Sequence, residues 1–242
     1  MISSTPAPRS TPSASPSSSS SAPSAPSSSS SSPAAPASLT ERRKAQTRWE
    51  IARAAARLFA TQGLRTTRAE DIAQAAGIAP RTFYRYFATK EEAVAPLYAA
   101  GAERWAEAVR EAPAHLSVAE ALEHGVRHTL TPGAGVSAAS WEWVRTLIRL
   151  ATGHPALGKV WAEVCLTSED ALAGILAARL DRDNVAAPDL RFAAAVAGAA
   201  VRVAVETWAQ GAAAPTGPDG PAELALANLR ALRGFWEGAA GS

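Results

Sequence analysis

Residues 70–87, which read EDIAQAAGIAPRTFYRYF, carry the strongest structural signal in the chain. Apolar residues recur three and four apart on both sides of Gly77, which is the periodicity of amphipathic helices. Gly77 predicts the turn, because glycine adopts left-handed backbone angles without strain, and Pro80 suits the first position of the following helix. Phe83 and Phe87 lie four apart and are expected to face the core. Two short helices in this arrangement are typical of a helix-turn-helix.

Helical periodicity continues on both sides of this segment, and the sequence has no convincing strand pattern. Ile51 and Phe59 belong to the apolar face of a first helix, over about 41–61, that Gly63 ends. Capping boxes are expected at two later helix starts, at Thr67 with Glu70 and at Thr89 with Glu92. Further helices are expected over about 117–130, 137–151, 155–181, 188–210 and 221–237. The sequence predicts an all-α fold of about nine helices, with a three-helix head before a helical body.

Composition divides the chain into three predicted parts. In residues 1–38, Ser, Pro and Ala fill 33 positions and Arg9 is the only charge, so this tail is expected to be disordered. Residues 39–90 are expected to form the helix-turn-helix domain, and from 41 to 90 there are 11 Lys/Arg against 4 Asp/Glu. Residues 91–242 contain 12 Lys/Arg against 18 Asp/Glu. A basic block joined to an acidic one is expected of a phosphate-binding head on a body that does not bind DNA.

Several function classes are disfavoured by the same residues. Cys165 is the only cysteine, which allows no internal disulfide and makes a reducing cytoplasm the simplest location. No run of 18 apolar residues is present, so no membrane partner is expected. His124 and His128 stand at a spacing that can hold zinc, but they lack the metalloprotease order, and a solvated pair is favoured over a metal site. Neither an enzyme nor a bound cofactor is predicted.

The helix after Gly77 carries side chains suited to DNA. Arg81 lies near its N-terminus, and arginine can bond bidentately to guanine O6 and N7. Thr82 can contact a thymine methyl or a phosphate, and the hydroxyl groups of Tyr84 and Tyr86 are at phosphate reach. Lys90, at the start of the next helix, is expected to clamp a phosphate. The alternative for each residue alone is a solvated basic face.

The pattern resembles the TetR family of bacterial transcriptional regulators. The matching residues are Ile51, Ala55, Leu58, Phe59, Gly63, Ile72-Ala73, Ala76-Gly77-Ile78, Thr82-Phe83-Tyr84-Arg85-Tyr86-Phe87 and Thr89-Lys90-Glu91. The resemblance implies a homodimer that binds double-stranded DNA at a palindromic operator. It implies DNA contacts near the helix-turn-helix, and the predicted set is Thr67, Arg68, Arg81, Thr82, Tyr84, Arg85, Tyr86 and Lys90. Ala79 departs from the family pattern, because a Ser, Thr or Asn cap is usual there.

The body offers a second site and a partner surface by the same resemblance. The helix around 189–210 is rich in Ala and Gly, which suits a dimer interface, and the alternative is an Ala-rich helix buried within its own subunit. A ligand pocket is expected near Trp141, Arg145, Trp161 and Cys165. Each of these residues also has a purely structural alternative. The two tryptophans would belong to the core, Arg145 would pair with a glutamate, and Cys165 would be a buried thiol. The body also resembles the subgroup that includes the mycofactocin regulator, which implies an acyl-CoA-like or other hydrophobic effector.

The sequence thus predicts a TetR-like regulator, a repressor released from its operator by a small hydrophobic ligand. The rival interpretation is a constitutive DNA-binding or architectural protein with no effector pocket.

Overall fold

The computed structural model describes residues 38–133, 138–180 and 187–233. Over these residues the chain is helical with no strand, as predicted. The helices are α1 (Leu39–Gln62), α2 (Ala69–Ala75), α3 (Pro80–Tyr86), α4 (Ala95–Glu111), α5 (Val118–Leu130), α6 (Ala138–Gly153), α7 (Pro155–Arg179), α8 (Ala187–Gln210) and α9 (Pro221–Ala231). The predicted tail falls outside the described residues except for Ser38, whose hydroxyl caps α1 by accepting from the backbone N–H of Glu41 at 3.2 Å. The end of the helix predicted over 221–237 also lies outside them.

The turn between α2 and α3 forms as the sequence predicts. Gly77 has a φ of +69°, in the left-handed region. Its backbone N–H donates to the Gln74 carbonyl, and the N–H of Ile78 donates to the Ala73 carbonyl at 2.9 Å. This pair of bonds is the Schellman arrangement that satisfies the last carbonyls of a helix. Pro80 then begins α3 at a position where its missing N–H costs no hydrogen bond.

The capping box predicted at Thr67 is wrong by one residue. The N-cap of α2 is Arg68, and its backbone N–H donates to the Asp71 carboxylate at 2.8 Å. Thr67 is fully buried, and its hydroxyl donates to the Gly63 carbonyl at 2.8 Å. Both registers place an acidic side chain three residues after the cap, and the buried Thr67 decides between them.

The connection from the head to the body begins with a short turn. Thr89 accepts from the backbone N–H of Glu92 at 3.2 Å, as the second capping box requires, but the Glu92 carboxylate accepts from the N–H of Ala88. A 3₁₀ turn, Glu92–Val94, follows, and α4 begins only at Ala95. The helix predicted to start at Thr89 is therefore a short turn followed by a helix.

Buried side chains form three clusters. The first is the centre of the body, between α4, α5, α7, α8 and α9. The second begins in the head, at residues such as Phe59 and Phe83, and continues into the body through Tyr98, Leu157 and Val160. The third joins α6 to α8 around Trp141 and Trp208, whose rings meet edge to face at 5.5 Å. The core of the head is thus shared with the body.

Helix α8 contains a long apolar segment. The segment Asp189–Gln210 of this helix has a mean hydropathy of 1.3, and its length and composition would allow it to cross a membrane. It packs against α6, α7 and α9, and 44% of its apolar window is buried. Such a helix is also what the core of a soluble bundle requires, and its neighbours favour that interpretation.

Candidate DNA-binding surface and ligand cavity

Helix α3 is fixed to the head through its aromatic face. Phe83 is fully buried and Phe87 is 3% exposed, and their ring centroids are 5.9 Å apart. Arg48 of α1 holds the other end of the helix, because its Nη1 donates to the Tyr86 carbonyl at 3.1 Å and its guanidinium lies 4.7 Å from the Phe87 ring centroid. This contact caps the C-terminal end of α3 with a positive charge, which suits the helix dipole.

The opposite side of α3 presents its polar residues. Arg81, Tyr84 and Arg85 are exposed, while Thr82 and Tyr86 are half-buried. The Tyr84 hydroxyl donates to Glu70 of α2 at 3.3 Å, and burial together with that carboxylate raises the pKa of Tyr84 above its usual value. A tyrosine has one O–H donor, so a bond from Tyr84 to a phosphate would require this hydroxyl to turn away from Glu70.

Arg68 lies exposed at the N-terminus of α2, close in sequence to the buried Thr67. The N-terminal end of a helix favours anions, because its free backbone N–H groups and the helix dipole point outward. Arg68 is therefore on the surface that its prediction as a DNA contact requires. Thr67 lies inside the head instead, where its hydroxyl braces the loop between α1 and α2.

Lys90 is engaged within the head. Its ammonium donates to the carbonyl of Leu64 at 2.6 Å and to that of Thr67 at 2.7 Å. These bonds tie the loop between α1 and α2 to the segment that leads into α4. An ammonium has three N–H donors, so one donor remains for a phosphate. The predicted phosphate contact of Lys90 stays a prediction.

A cavity of about 180 Å³ lies in the body, between α4, the end of α5, α6, α7 and α8. Trp141, Trp161 and Cys165 line it, as the sequence predicts for a pocket in this region. Burial raises the pKa of the Cys165 thiol to about 11, so the sulfur is a neutral wall atom at physiological pH. The Trp161 indole donates to Glu206 at 2.7 Å, which fixes its ring in the wall.

Arg145 does not line this cavity. Its Nη2 donates to the carbonyl of Ala213, and its guanidinium lies 4.3 Å from the Trp208 ring centroid. Arg149 donates to the carbonyls of Ala209 and Gly211, at 2.5 and 2.8 Å. Both arginines therefore hold the C-terminal end of α8 and the loop after it. Among the described residues Arg145 forms no ion pair with a glutamate, so the alternative that pairs it with one is not observed.

Two family models match the sequence. "Bacterial regulatory proteins, tetR family" matches residues 51–95, and "MftR C-terminal domain" matches residues 116–219. The HTH-type transcriptional regulator TcmR of Streptomyces glaucescens is 32% identical over 174 residues, which cover 70% of this chain and 76% of TcmR. The chain belongs to the TetR family. This TetR-family chain is thus a DNA-binding transcriptional regulator, as the sequence predicts.

Solved structures agree with this TetR-family assignment. A TetR-family regulator from Mesorhizobium loti superposes with a TM-score of 0.52 at 21% identity, covering 80% of this chain and 98% of the other, which shows the fold alone. FadR of Thermus thermophilus, a TetR-family repressor solved in complex with lauroyl-CoA, superposes with a TM-score of 0.50 at 25% identity. The match covers 76% of this chain and 92% of the FadR chain.

The structure adds wall residues of the TetR-family cavity that the sequence pattern does not single out. Tyr98 and Trp105 of α4 line it, and so does Glu169 of α7. The Tyr98 hydroxyl donates to the Leu147 carbonyl at 3.0 Å, and its ring meets Trp161 edge to face at 5.1 Å. In the sequence, Tyr98 and Trp105 stand out only through the spacing of large apolar residues along α4. That periodicity alone assigns them to the core.

Proposed function

We propose that this protein is a cytoplasmic homodimeric repressor that a small hydrophobic ligand releases from a palindromic operator. The carrying observation is that one apolar cluster joins the DNA-facing head to the wall of an apolar cavity. Phe59 and Phe83 lie at its head end, and Tyr98 and Trp161 lie at its cavity end. A ligand that changes the packing at one end changes the support of α3 at the other.

The DNA-facing part of the proposal rests on exposure and charge. Arg68, Arg81 and Arg85 are exposed on a head with a strong positive balance, while the apolar face of α3 is buried. We assign Arg81 to base recognition in the major groove, because it lies in the first turn of the recognition helix. Thr82, Tyr84 and Tyr86 would hold phosphates, and Arg68 would hold a phosphate from the start of α2.

The homodimer is supported by apolar side chains on the outer faces of α7 and α8. Leu166 is 62% exposed, Phe192 is 58% exposed and Val203 is 46% exposed. Small residues lie around them on α8, including the half-buried Ala199. Pairing α7 and α8 with the same helices of a second copy would bury these side chains in a four-helix arrangement. A two-fold dimer would then read two half-sites about one helical turn apart.

The ligand-dependent part rests on differential binding. A ligand lowers DNA affinity only when it binds the DNA-incompetent conformation more tightly than the competent one. Tyr98 lies on α4, which the turn after Lys90 connects to the head, and Lys90 in turn holds the loop before α2. Movement of α4 would therefore reach both helices of the helix-turn-helix. Lauroyl-CoA is a reasonable first test compound, because the FadR structure contains it.

The proposal is tested by incubating the purified protein with fragmented genomic DNA at a salt concentration of about 150 mM and sequencing the retained fragments. Recovery of a pseudo-palindromic site supports the repressor. Retention that is blind to sequence, with no effect of any ligand, supports the architectural alternative instead.

Arg81→Ala should then lower affinity for the recovered site by about 1–3 kcal/mol and relax the preference at one base position. Lys159→Ala is the matched control, since Lys159 is an exposed cation of the body that pairs with Glu163 at 3.8 Å. Equal losses of specific and random binding in Arg81→Ala would refute its role in base recognition.

A further inference from the structure

Lys90 makes contacts that differ from those of the two other lysines of the chain. Lys44 and Lys159 are exposed, and each pairs with a glutamate on its own helix. Lys90 is half-buried, and its one nitrogen donates to the carbonyl of Leu64 at 2.6 Å and to that of Thr67 at 2.7 Å. Such short distances are expected when the donor is charged. The ammonium is therefore held between two backbone carbonyls of the loop that precedes α2.

The Thr67 carbonyl belongs to the peptide group that leads into α2. The N–H of the same group is that of Arg68, the N-cap of α2, and it donates to the Asp71 carboxylate at 2.8 Å. A peptide group is planar, so holding its oxygen and its N–H fixes its orientation. Lys90 holds one end of this group and Asp71 holds the other. The direction in which α2 leaves the loop therefore depends on both side chains.

Lys90 is also fixed to the segment that leads into the body. Its carbonyl accepts from the backbone N–H of Ala93 at 3.3 Å, in the turn before α4, and Ala93 is fully buried. Leu64, at the other end of the loop, belongs to the apolar cluster shared by head and body. The ammonium of Lys90 thus joins the loop before α2 to the start of α4.

We propose that Lys90 is a positioning residue for DNA recognition, which orients α2 and the recognition helix α3 by holding the loop before them. Ile72 of α2 and Phe83 of α3 are buried in one cluster, so the two helices move together. Lys90 acts through the loop and not as a phosphate ligand. The proposal rests on the DNA-facing part of the proposed function and goes beyond it. A phosphate contact positions the protein on any sequence, whereas the orientation of α3 decides its contacts with base edges.

The test begins with a selection by the full-length protein from a pool of duplexes of randomised sequence, at about 150 mM salt. Fluorescence anisotropy then measures affinity for the selected duplex and for the unselected pool over a range of salt concentrations. The variants are Lys90→Arg, which keeps the charge, and Lys90→Met, which removes it. Lys159→Arg and Lys159→Met are the matched controls, since Lys159 is an exposed lysine of the body. Circular dichroism at the assay temperature gives the folded fraction of each variant.

Both Lys90 variants should bind the selected duplex at least tenfold more weakly and the unselected pool within about twofold of the wild type. Arginine should not rescue binding, because its donors are spread over a planar fork and are not carried by one compact nitrogen. The two Lys159 variants should change neither affinity. A lysine that contacts a phosphate would behave differently, since its loss would weaken binding to both DNAs alike and lower the salt slope by about 0.9.

Asp71 provides an independent test, because its charge has the opposite sign. A carboxylate repels phosphates, so its removal alone would strengthen binding to DNA of any sequence. If the peptide group before α2 is what Lys90 positions, Asp71→Ala should instead bind the selected duplex at least fivefold more weakly, with no loss for the unselected pool. A variant that merely folds poorly would lose both affinities by the same factor.

The outcomes separate this role from the proposed function. A wild type that recovers no common sequence from the pool would overturn operator recognition, and the positioning role with it. If Lys90→Arg binds the selected duplex as tightly as the wild type, the positioning role alone is overturned. Equal losses on both DNAs in Lys90→Met, with a lower salt slope, would likewise make Lys90 a phosphate ligand and leave operator recognition intact.

Discussion

Gly125→Ala should destabilise the protein although alanine is the better helix former. Gly125 lies within α5 and is buried. A Cβ added there would lie 2.6 Å from Val109 Cγ2 and 3.1 Å from Trp105 Cδ1, well inside van der Waals contact. Val109 is fully buried and its branched side chain has few rotamers to choose from, so the backbones of α4 and α5 must separate. The close approach of these two helices therefore depends on a hydrogen atom at position 125.

The magnitude follows from two opposing contributions. Alanine gains about 0.5–1 kcal/mol over glycine in a helix, whereas overpacking a tight core costs about 1–3 kcal/mol. The net expectation for Gly125→Ala is a loss of up to about 2.5 kcal/mol. The matched control is Gly101→Ala in α4, where the added Cβ meets nothing within 4 Å and the helix gain of about 0.5–1 kcal/mol should appear alone.

Chemical denaturation followed by circular dichroism measures both variants at one fixed protein concentration, because the unfolding of the proposed dimer would depend on concentration. Opposite signs for the two substitutions support the packing argument. If Gly125→Ala were as stable as Gly101→Ala, the interface between α4 and α5 would be looser than described.

Three further predictions concern single side chains. Arg48→Gln should lower affinity for specific DNA at least fivefold with a smaller loss for random DNA, because Arg48 holds the end of α3 at Tyr86, and equal losses in a binding titration would contradict this. Glu123→Gln should cost about 1–2 kcal/mol at pH 7, since this buried carboxylate bonds to Arg127 and Arg233. Burial alone would raise the Glu123 pKa, but the two arginines outweigh this effect and hold it below the usual 4.5. The stabilisation by the Glu123 carboxylate is therefore present above pH 4.5 and is lost as the pH falls through the lowered pKa. Melting curves of the variant and wild type should therefore converge in acid, and a constant gap would refute the ion-pair explanation. Cys165 should react with iodoacetamide at pH 8 at least tenfold more slowly than a free thiol, because burial raises its pKa to about 11, and mass spectrometry showing an ordinary rate would place the thiol outside the cavity wall.

Local chemistry makes the head predictable from its sequence. Gly77, Pro80 and the Phe83/Phe87 spacing each act within a few residues, so the turn and the buried face of α3 follow from the pattern. The start of α2 is different, because Glu70 and Asp71 each stand three residues after a candidate cap. Thr67 is buried within the loop between α1 and α2, and its burial leaves Arg68 as the N-cap of α2. Burial is a property of the assembled fold and not of the local sequence.

The cavity is only partly predictable for the same reason. Trp141 and Trp161 follow from composition, since large aromatic residues gather in few places in the body. The position of Arg145 cannot be predicted from its neighbours, because its partner, the carbonyl of Ala213, is 68 residues further along the chain. Trp105 is a large apolar residue on a connecting helix, and nothing within a few residues of it reveals that it lines the cavity.

The apolar cluster shared by head and body limits how this protein can be cut or recombined. A fragment ending near residue 90 would keep Phe59 and Phe83 but lose Tyr98, Leu157 and Val160, which cover the same cluster. Such a fragment would expose an apolar surface to water, and it would aggregate or bind DNA poorly. A chimaera that borrows this head should therefore carry the first turns of α4 and the matching surface of α7 with it. Transplanting the helix-turn-helix alone would move the side chains proposed to contact DNA without the packing that orients them.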